Sequence, residues 1–158
     1  MGAPFQENEG AKGLKSLRQV FKPRFFEFAI REYEMPVQEM YNDFRERFPE
    51  ITKLADEEHI LDWDEIRPEY AFTWFESLAK TLNREMAREE PVSTYLPVFE
   101  YFRSKFLTGD DEEKKCIEVS FVENLFWQIK SEKAEPYWQA LPSLLKELYV
   151  KFHGCVPP

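Results

Sequence analysis

Residues 71–86 read AFTWFESLAKTLNREM, and their apolar side chains recur at the spacing of an α-helix. The apolar residues that share one arc of this helix are Ala71, Phe72, Trp74, Phe75, Leu78, Ala79, Leu82 and Met86. The polar residues predicted to face away from them are Glu76, Lys80, Asn83 and Arg84. Pro68 stands just before the stretch, and a first helical turn tolerates proline. The sequence therefore predicts an amphipathic helix with a wide face that must be buried.

Helical patterns lie on both sides of this stretch. The earlier one is formed by Val37, Met40, Tyr41, Phe44 and Phe48, and Pro49 follows it. The later one is formed by Val92, Tyr95, Leu96, Phe99, Phe102 and Phe106. Thr94 is the predicted N-cap of the later helix, which places Pro97 in the first turn, where its missing N–H costs little.

Two further helices are predicted after Gly109. Asp110 and Glu113 have the spacing of a capping pair, and the helix that they begin is expected to reach about Lys130. Its apolar residues occupy nearly every side, which is typical of a central helix; they are Cys116, Ile117, Val119, Phe121, Val122, Leu125, Phe126, Trp127 and Ile129. The last helix ends near Gly154 and carries Leu141, Leu144, Leu145, Leu148, Tyr149 and Phe152 at core spacing.

The first residues of the chain differ in composition from the rest. Residues 1–13 contain three of the five glycines and are predicted to be a flexible tail, which leaves residues 14–158 as a single helical domain. Apolar residues at helical spacing predict a helix over residues 14–21, before Pro23. Residues 26–30 alternate between apolar and other side chains, but no second strand is evident, so a short helix is favoured there.

A weak internal repeat bears on the architecture. Phe75-Glu76-Ser77-Leu78 precedes Leu96-Pro97, and Val122-Glu123-Asn124-Leu125 precedes Leu141-Pro142, with offsets of 47 and 45 residues. Such periods are typical of two-helix HEAT-like units, although generic helix residues match by chance about as readily. The sequence predicts an all-α fold, a compact bundle of five to seven helices, with two HEAT-like helix pairs as an open variant.

Composition restricts the class of protein. With 43% hydrophobic residues and 15 phenylalanines the chain can form a packed core, and its apolar runs are too short to span a membrane. Residues 1–10 lack a signal-peptide pattern, and Cys116 and Cys155 are too few for a disulfide framework, so we expect a cytoplasmic protein with reduced thiols.

Charge is distributed unevenly. Residues 1–33 carry six Lys/Arg against four Glu, whereas residues 34–158 carry 15 Lys/Arg against 26 Asp/Glu, and the net charge is −9. An acidic body repels nucleic acid and anionic lipid and attracts a basic protein. We therefore expect neither a nucleic-acid nor a membrane partner.

The acidic stretch Asp56–Glu65 is the principal candidate site. It reads DEEHILDWDE, with six carboxylates and no Lys or Arg, and it falls between two predicted helices, so it is expected to be a surface connection. Its carboxylates favour the charged form of His59. The stretch lacks the turn glycine of calcium loops, so no metal is predicted.

Trp63 and Ile60 add apolar anchors of the kind that binding sites use. The predicted partner-binding residues are Asp56, Glu57, Glu58, Asp62, Trp63, Asp64 and Glu65. A merely solvated acidic loop is the competing interpretation.

No catalytic signature is present. The sequence contains no phosphate-binding glycine loop, CxxC, HExxH or GxSxG pattern, so we predict a protein that is not an enzyme and has no catalytic residues and no cofactor. Glu118 and Glu123 fall within the apolar arc of their predicted helix. Buried carboxylates there require a cationic partner, such as an arginine on a neighbouring helix, or a functional role.

The segments Gly109-Asp110-Asp111-Glu112 and Ile117–Leu125, followed by Leu141-Pro142, resemble small helical bacterial immunity proteins. These proteins are encoded beside polymorphic or contact-dependent toxins, and the resemblance covers residues 68–153. It implies that the chain binds one cognate toxin and neutralises it by occluding its active surface. The toxin is expected to be basic, because an acidic inhibitor then associates with it rapidly.

Two alternatives of other classes stay open. One is a non-catalytic helical adaptor, or a phage-type inhibitor of another protein. The other is a hydrolase that reverses a toxin's modification, which would require a cleft with convergent Asp and Glu side chains.

Overall fold

The computed structural model describes residues 36–158, which form one compact unit. The described helices are α1 (Pro36–Arg47), α2 (Pro49–Trp63), α3 (Ala71–Ala87), α4 (Leu96–Thr108), α5 (Asp111–Cys116), a π-helical segment (Ile117–Val122), α6 (Ser131–Ala140) and α7 (Ser143–His153). The predicted all-α bundle of five to seven helices is therefore confirmed over these residues, which contain seven α-helices and no strand. The predicted tail over residues 1–13 and the helices predicted over residues 14–21 and 26–30 lie outside the described residues.

Helix α3 lies at the centre of this unit. The sequence pattern predicted that position for the helix that follows Asp110, and it predicted for residues 71–86 only one buried face. Trp74, Phe75, Leu78, Leu82 and Met86 are fully buried. Helices α1, α2 and α6 and the π segment all pack against α3. Since each large apolar side chain contributes roughly 1.5–3 kcal/mol when fully buried, this helix organises the apolar core.

Aromatic contacts around Phe44 join α1 to three other elements. Its ring lies 5.7 Å from that of Trp74 in a T-shaped arrangement and 5.5 Å from that of Phe102 in a stacked one. Phe102 in turn stacks on Phe121 of the π segment, with ring centroids 3.9 Å apart. One chain of contacts thus connects α1, α3, α4 and the π segment.

The long helix predicted from Asp110 to Lys130 is wrong in its second half. Asp110 caps α5 by accepting a hydrogen bond from the Glu113 backbone N–H at 2.9 Å, as predicted. The chain then becomes π-helical, and after Val122 it continues in turns. The α-helix fails because the side chain of Asn83, on α3, bonds backbone groups of residues 124 and 126 and holds them in the turn.

Because of this break, the two copies of the predicted repeat have different structures. Residues 75–78 lie within α3, whereas residues 122–125 leave the π segment and enter the turns. The two Leu-Pro pairs are more alike, because each precedes or begins a helix, at Leu96 and at Ser143. The local structure therefore does not reproduce the first half of the repeat.

Two helices, α2 and α6, were not predicted from the sequence. Pro49 was expected to end the first pattern, but it occupies the first turn of α2, where proline is well tolerated. Helix α6 contains Pro136 as its sixth residue, and this proline removes only one helical hydrogen bond, the one that its own N–H would donate to Glu132. Helix α4 begins at Leu96 with Tyr95 at its N-cap, so the prediction of Thr94 is wrong by one residue, while Pro97 does lie in the first turn.

The end of the last helix agrees with the prediction. Gly154 terminates α7 in the left-handed conformation, with φ of 74°, which glycine adopts without steric cost. Among the described helices, none has both the length and the apolar character needed to cross a lipid bilayer.

We expect the variant Phe44→Ala to lower the free energy of unfolding by about 3–5 kcal/mol, because it leaves a cavity where three helices and the π segment are linked. Urea unfolding followed by circular dichroism measures the loss. Phe152→Ala is the matched control: Phe152 is exposed, and its removal should change the free energy of unfolding by less than about 0.5 kcal/mol. Equal losses in the two variants would contradict the proposed role of Phe44.

Candidate protein-binding surface

The acidic stretch Asp56–Glu65 is helical over most of its length, so the expectation of a surface connection is wrong. Residues 56–63 form the second half of α2, and Asp64 ends the helix with a left-handed φ of 62°. The backbone N–H of Asp64 closes the last turn by donating to the carbonyl of Ile60 at 3.0 Å. A helix can form here because cations on neighbouring helices offset part of the like-charge repulsion.

Asp56 is a structural residue that links three helices. Its carboxylate accepts two hydrogen bonds from the guanidinium of Arg45, on α1, and one from the indole Nε1 of Trp74, on α3, at 2.8 Å. The guanidinium carbon of Arg45 also lies 5.0 Å from the ring centroid of Tyr41. A bidentate, half-buried pair of this kind fixes the position of α2 and leaves little of Asp56 for a partner.

Two more of the predicted partner-binding carboxylates bond to α3. Glu58 accepts a hydrogen bond from Arg84, and Asp62 accepts one from Lys80 at 2.9 Å. The hydrogen bond with Asp62 raises the pKa of Lys80, which keeps the amine charged. Three of the six carboxylates of the stretch are thus bonded to cations on adjacent helices.

His59 is fully buried between α2 and α3, and the expectation that its charged form is favoured is wrong. The Ser77 hydroxyl donates its proton to the carbonyl of Thr73 at 3.1 Å, so the Nδ1–H of His59 must be the donor to Ser77 Oγ at 3.0 Å. The other nitrogen, Nε2, has no partner among the described residues. Burial lowers the pKa of His59, and the opposing effects of Asp56, Asp62 and nearby carbonyls are smaller.

The outward face of α2 combines acidic and apolar side chains. Glu57, Ile60, Leu61 and Asp64 share this face at helical spacing, and Trp63 and Glu65 lie beside them. Ile60, Leu61 and Trp63 are 46%, 76% and 53% exposed, which is unusual for three large apolar residues within four positions. We define the α2 surface as Glu57, Ile60, Leu61, Trp63, Asp64 and Glu65.

The carboxylates of the α2 surface form fewer and weaker ion pairs than the carboxylates on the inner side of helix α2. Glu65 pairs with Arg67 at 3.0 Å, but both side chains are largely exposed, and such pairs contribute little. Glu57 and Asp64 form no ion pair within the described residues. A cationic partner would therefore meet these two carboxylates first.

A shallow depression borders the α2 surface on its α1 side. It encloses about 500 Å³ and is lined in part by Arg45, Thr52, Glu57 and Ile60. The buried hydroxyl of Thr52 has no hydrogen-bond partner among the described residues. The depression therefore lies directly beside Ile60 and Glu57 of the α2 surface.

Leu61 is the principal residue that sequence analysis missed. It is the most exposed apolar residue of the stretch, and it lies between Glu57 and Asp64 on the helix surface. A helical wheel would have identified it, because residues 57, 61 and 64 fall on one side. Helical periodicity does not apply to a loop, and the stretch was predicted to be a connecting loop.

The two glutamates of the predicted central helix are half-buried and not fully buried, but the predicted ion pair with a cation on a neighbouring helix is found for Glu118. Glu118 lies 3.7 Å from the amine of Lys151, on α7, and not beside an arginine. The prediction of full burial fails because it assumed an α-helix, whereas residues 117–122 are π-helical and carry Glu118 and the exposed Val119 toward the surface.

The two cysteines are placed as the sequence indicates. Cys116 is buried in the core, and burial raises the pKa of its thiol to about 12, whereas Cys155 is exposed. Within residues 36–158 no group of three or more His, Cys, Asp or Glu side chains is arranged to hold a metal ion.

Comparison with known proteins identifies one family. The profile described as a domain of unknown function (DUF7674) matches residues 41–154, well over half of the chain. No curated protein matches the chain significantly. No solved structure matches it significantly either.

We expect Asp56→Ala to reduce the free energy of unfolding by about 1–3 kcal/mol, because it leaves the Arg45 guanidinium and the Trp74 indole N–H without their acceptor. Glu57→Ala, one residue away on the exposed face, should change it by less than about 0.5 kcal/mol. Urea unfolding of both variants measures the difference. A similar stability for the two variants would show that Asp56 does not hold α2 in place.

The lowered pKa of His59 predicts a loss of stability in mild acid. The unfolded chain takes up the proton near pH 6.5, whereas the folded chain resists it, so stability is complete above that pH and falls as the pH decreases toward the folded pKa. The slope from this group is at most about 1.4 kcal/mol per pH unit. Urea unfolding between pH 7.5 and 5.5 should show a steeper loss for the native chain than for His59→Gln, and parallel curves would contradict this assignment.

Proposed function

The chain belongs to the DUF7674 family, and we propose that it is a non-catalytic domain that binds a basic partner protein through the α2 surface. The observation that carries this proposal is the joint exposure of Ile60, Leu61 and Trp63 beside the carboxylates of Glu57 and Asp64, which form no ion pair with any residue from 36 to 158. Apolar anchors surrounded by charged groups are typical of protein-binding sites.

The exposed apolar group supports binding rather than mere solubility. A solvated acidic helix needs no tryptophan, leucine or isoleucine on its outer side, and contiguous exposed apolar side chains favour association. The carboxylates of Glu57 and Asp64 then determine which partner is accepted, because they repel acidic proteins and attract basic ones. The net charge of −9 also attracts a basic partner at long range.

The fixed position of α2 also supports the proposal. The bonds of Asp56, Glu58 and Asp62 to Arg45, Arg84 and Lys80 hold the inner side of the helix against α1 and α3. A surface that is already ordered loses little conformational entropy on binding. The inner carboxylates therefore support binding indirectly, by positioning the outer ones.

The narrower proposal is that the partner is a toxin that the chain neutralises in the bacterial cytoplasm. It is supported by the resemblance of residues 109–125 and 141–145 to immunity proteins of toxin systems, together with the acidic charge. An inhibitor of this type covers the active or substrate-binding surface of the toxin. The α2 surface would supply the contact, with Trp63 and Leu61 as anchors and Glu57 and Asp64 facing cationic residues of the toxin.

The test is a binding experiment with the full chain and the product of the neighbouring gene. We expect a stoichiometric complex that weakens as salt is raised, because charge attraction contributes to it. The double variant Glu57→Lys/Asp64→Lys should weaken binding at least about tenfold, and so should Trp63→Ala, as is usual for interface anchors. Isothermal titration calorimetry measures these affinities at two salt concentrations.

Glu132→Lys/Glu135→Lys is the matched control, since it reverses two exposed carboxylates on α6 and changes the net charge equally. Thermal melting confirms that each variant is folded. If the α6 variant weakens binding equally, the effect is due to net charge alone. That result would contradict the proposal that the α2 surface binds the partner. Absence of any complex at low salt would contradict the toxin-binding proposal itself.

A further inference from the structure

A groove between the π segment and α7 lies apart from the α2 surface. It encloses about 210 Å³ and is lined by Glu118, Val119, Glu123, Leu148, Lys151 and Phe152. None of these residues belongs to the α2 surface. The π segment and α2 both pack against α3, so the groove and the α2 surface are held by the same central helix.

Buried polar side chains hold the backbone next to the groove. Asn83 donates from Nδ2 to the carbonyl of Asn124 at 2.8 Å and accepts from the N–H of Phe126 at 2.7 Å. The Nε2 of His153 lies 3.0 Å from the carbonyl of Glu123, within hydrogen-bond distance. These contacts maintain the positive φ of Phe126, 65°, which is sterically unfavourable for a phenylalanine. The wall that carries Glu118 and Glu123 is therefore preformed.

The groove presents apolar side chains to the solvent. Val119 is 40% exposed and Phe152 is 59% exposed, and they lie on opposite walls, one on the π segment and one on α7. Leu148 is half-buried and also lines the groove. An apolar side chain entering the groove would be enclosed on both sides, which makes burial favourable.

The charges at the groove favour a cationic group. Glu118 lies 3.7 Å from the amine of Lys151, which is beyond hydrogen-bond distance, and the Lys151 side chain is 78% exposed. Glu123 forms no ion pair within the described residues. The groove thus holds two carboxylates and one exposed ammonium group, which pairs with Glu118 alone, so a guanidinium or ammonium group from outside would balance the remaining negative charge.

We infer that this groove is a second docking site, which binds a segment of another protein that carries a Lys or Arg beside an apolar residue. The apolar side chain lies between Val119 and Phe152, and the cation meets Glu118 and Glu123. The π-helical turn is essential to this arrangement, because it places both carboxylates beside exposed apolar groups. The site does not depend on the α2 surface, and its partner need not be the same protein.

The probe is the tripeptide acetyl-Leu-Arg-Leu-amide, titrated into the ¹⁵N-labelled full chain. We expect chemical-shift changes at the backbone amides of residues 118–123 and 151–152, with little change over residues 57–65. The acidic peptide acetyl-Leu-Glu-Leu-amide, of the same length, should leave the chemical shifts of these amides nearly unchanged. Equal shifts from both peptides, or none from either, would overturn the inference.

The double variant Glu118→Gln/Glu123→Gln should raise the dissociation constant of the arginine peptide at least about fivefold, as expected for lost ion pairs at a half-exposed site. Glu132→Gln/Glu135→Gln on α6 is the control of equal charge and should bind like the native chain. Equal affinities in the two double variants would contradict the role of the groove carboxylates.

A binding assay with phosphatidylcholine vesicles distinguishes a groove that binds a protein segment from one that binds a lipid surface. The assay is needed because exposed apolar residues such as Val119 and Phe152 also insert into lipid. We expect no vesicle binding. Vesicle binding that is lost in Phe152→Ser would identify the groove as a lipid contact and overturn the inference. Peptide-induced shifts confined to residues 57–65 would overturn it as well, and would favour the α2 surface instead.

Discussion

Helix α3 is buried on most sides, so each polar side chain that it buries must find a hydrogen-bond partner, either in its own backbone, as Thr81 does, or in the elements around it. Ser77 bonds His59 on α2, and Asn83 bonds the turn after the π segment. Glu85, also buried, accepts from the hydroxyl of Tyr95 at 2.7 Å, and this hydrogen bond and burial together raise the pKa of Tyr95. These polar contacts determine where the neighbouring elements sit, while the apolar contacts of Trp74 and Phe75 provide most of the burial.

The two exposed surfaces of interest are consequences of this arrangement. The bonds of α3 to α2 fix the inner side of α2, which leaves Ile60, Leu61 and Trp63 on the outside. The bonds of Asn83 prevent an α-helix from continuing through residues 123–128, and the resulting turn leaves a groove beside Glu118 and Glu123. Both surfaces are held in place for the same reason: hydrogen bonds from α3, including the buried bonds of Ser77 and Asn83, position the segments that carry them.

The carboxylates of α2 perform two separate tasks. Asp56, Glu58 and Asp62 hold the helix in place, and their bonded cations cancel much of their charge. Glu57 and Asp64 form no ion pair among the described residues, and Glu65 is only weakly paired. A count of acidic residues therefore overestimates the charge that this stretch presents to a partner, and the apolar residues between the free carboxylates contribute more to any binding energy.

The sequence alone determined the fold class, the apolar face of α3, the cap at Asp110, the buried Cys116 and the end of α7 at Gly154. Each depends on local periodicity, on capping chemistry or on the conformational freedom of one glycine, all of which neighbouring residues encode. Only the tertiary structure decided that residues 56–63 are helical, that His59 is buried, that Asn83 faces inward, and which of the carboxylates pair with a cation between residues 36 and 158. Those outcomes depend on Arg45, Ser77, Lys80 and Arg84 and on the turn after Val122, which lie 11 to 41 residues away from their partners in the sequence. A periodicity cannot reveal such pairs, because a charged or polar side chain faces inward only when its partner is there to bond it.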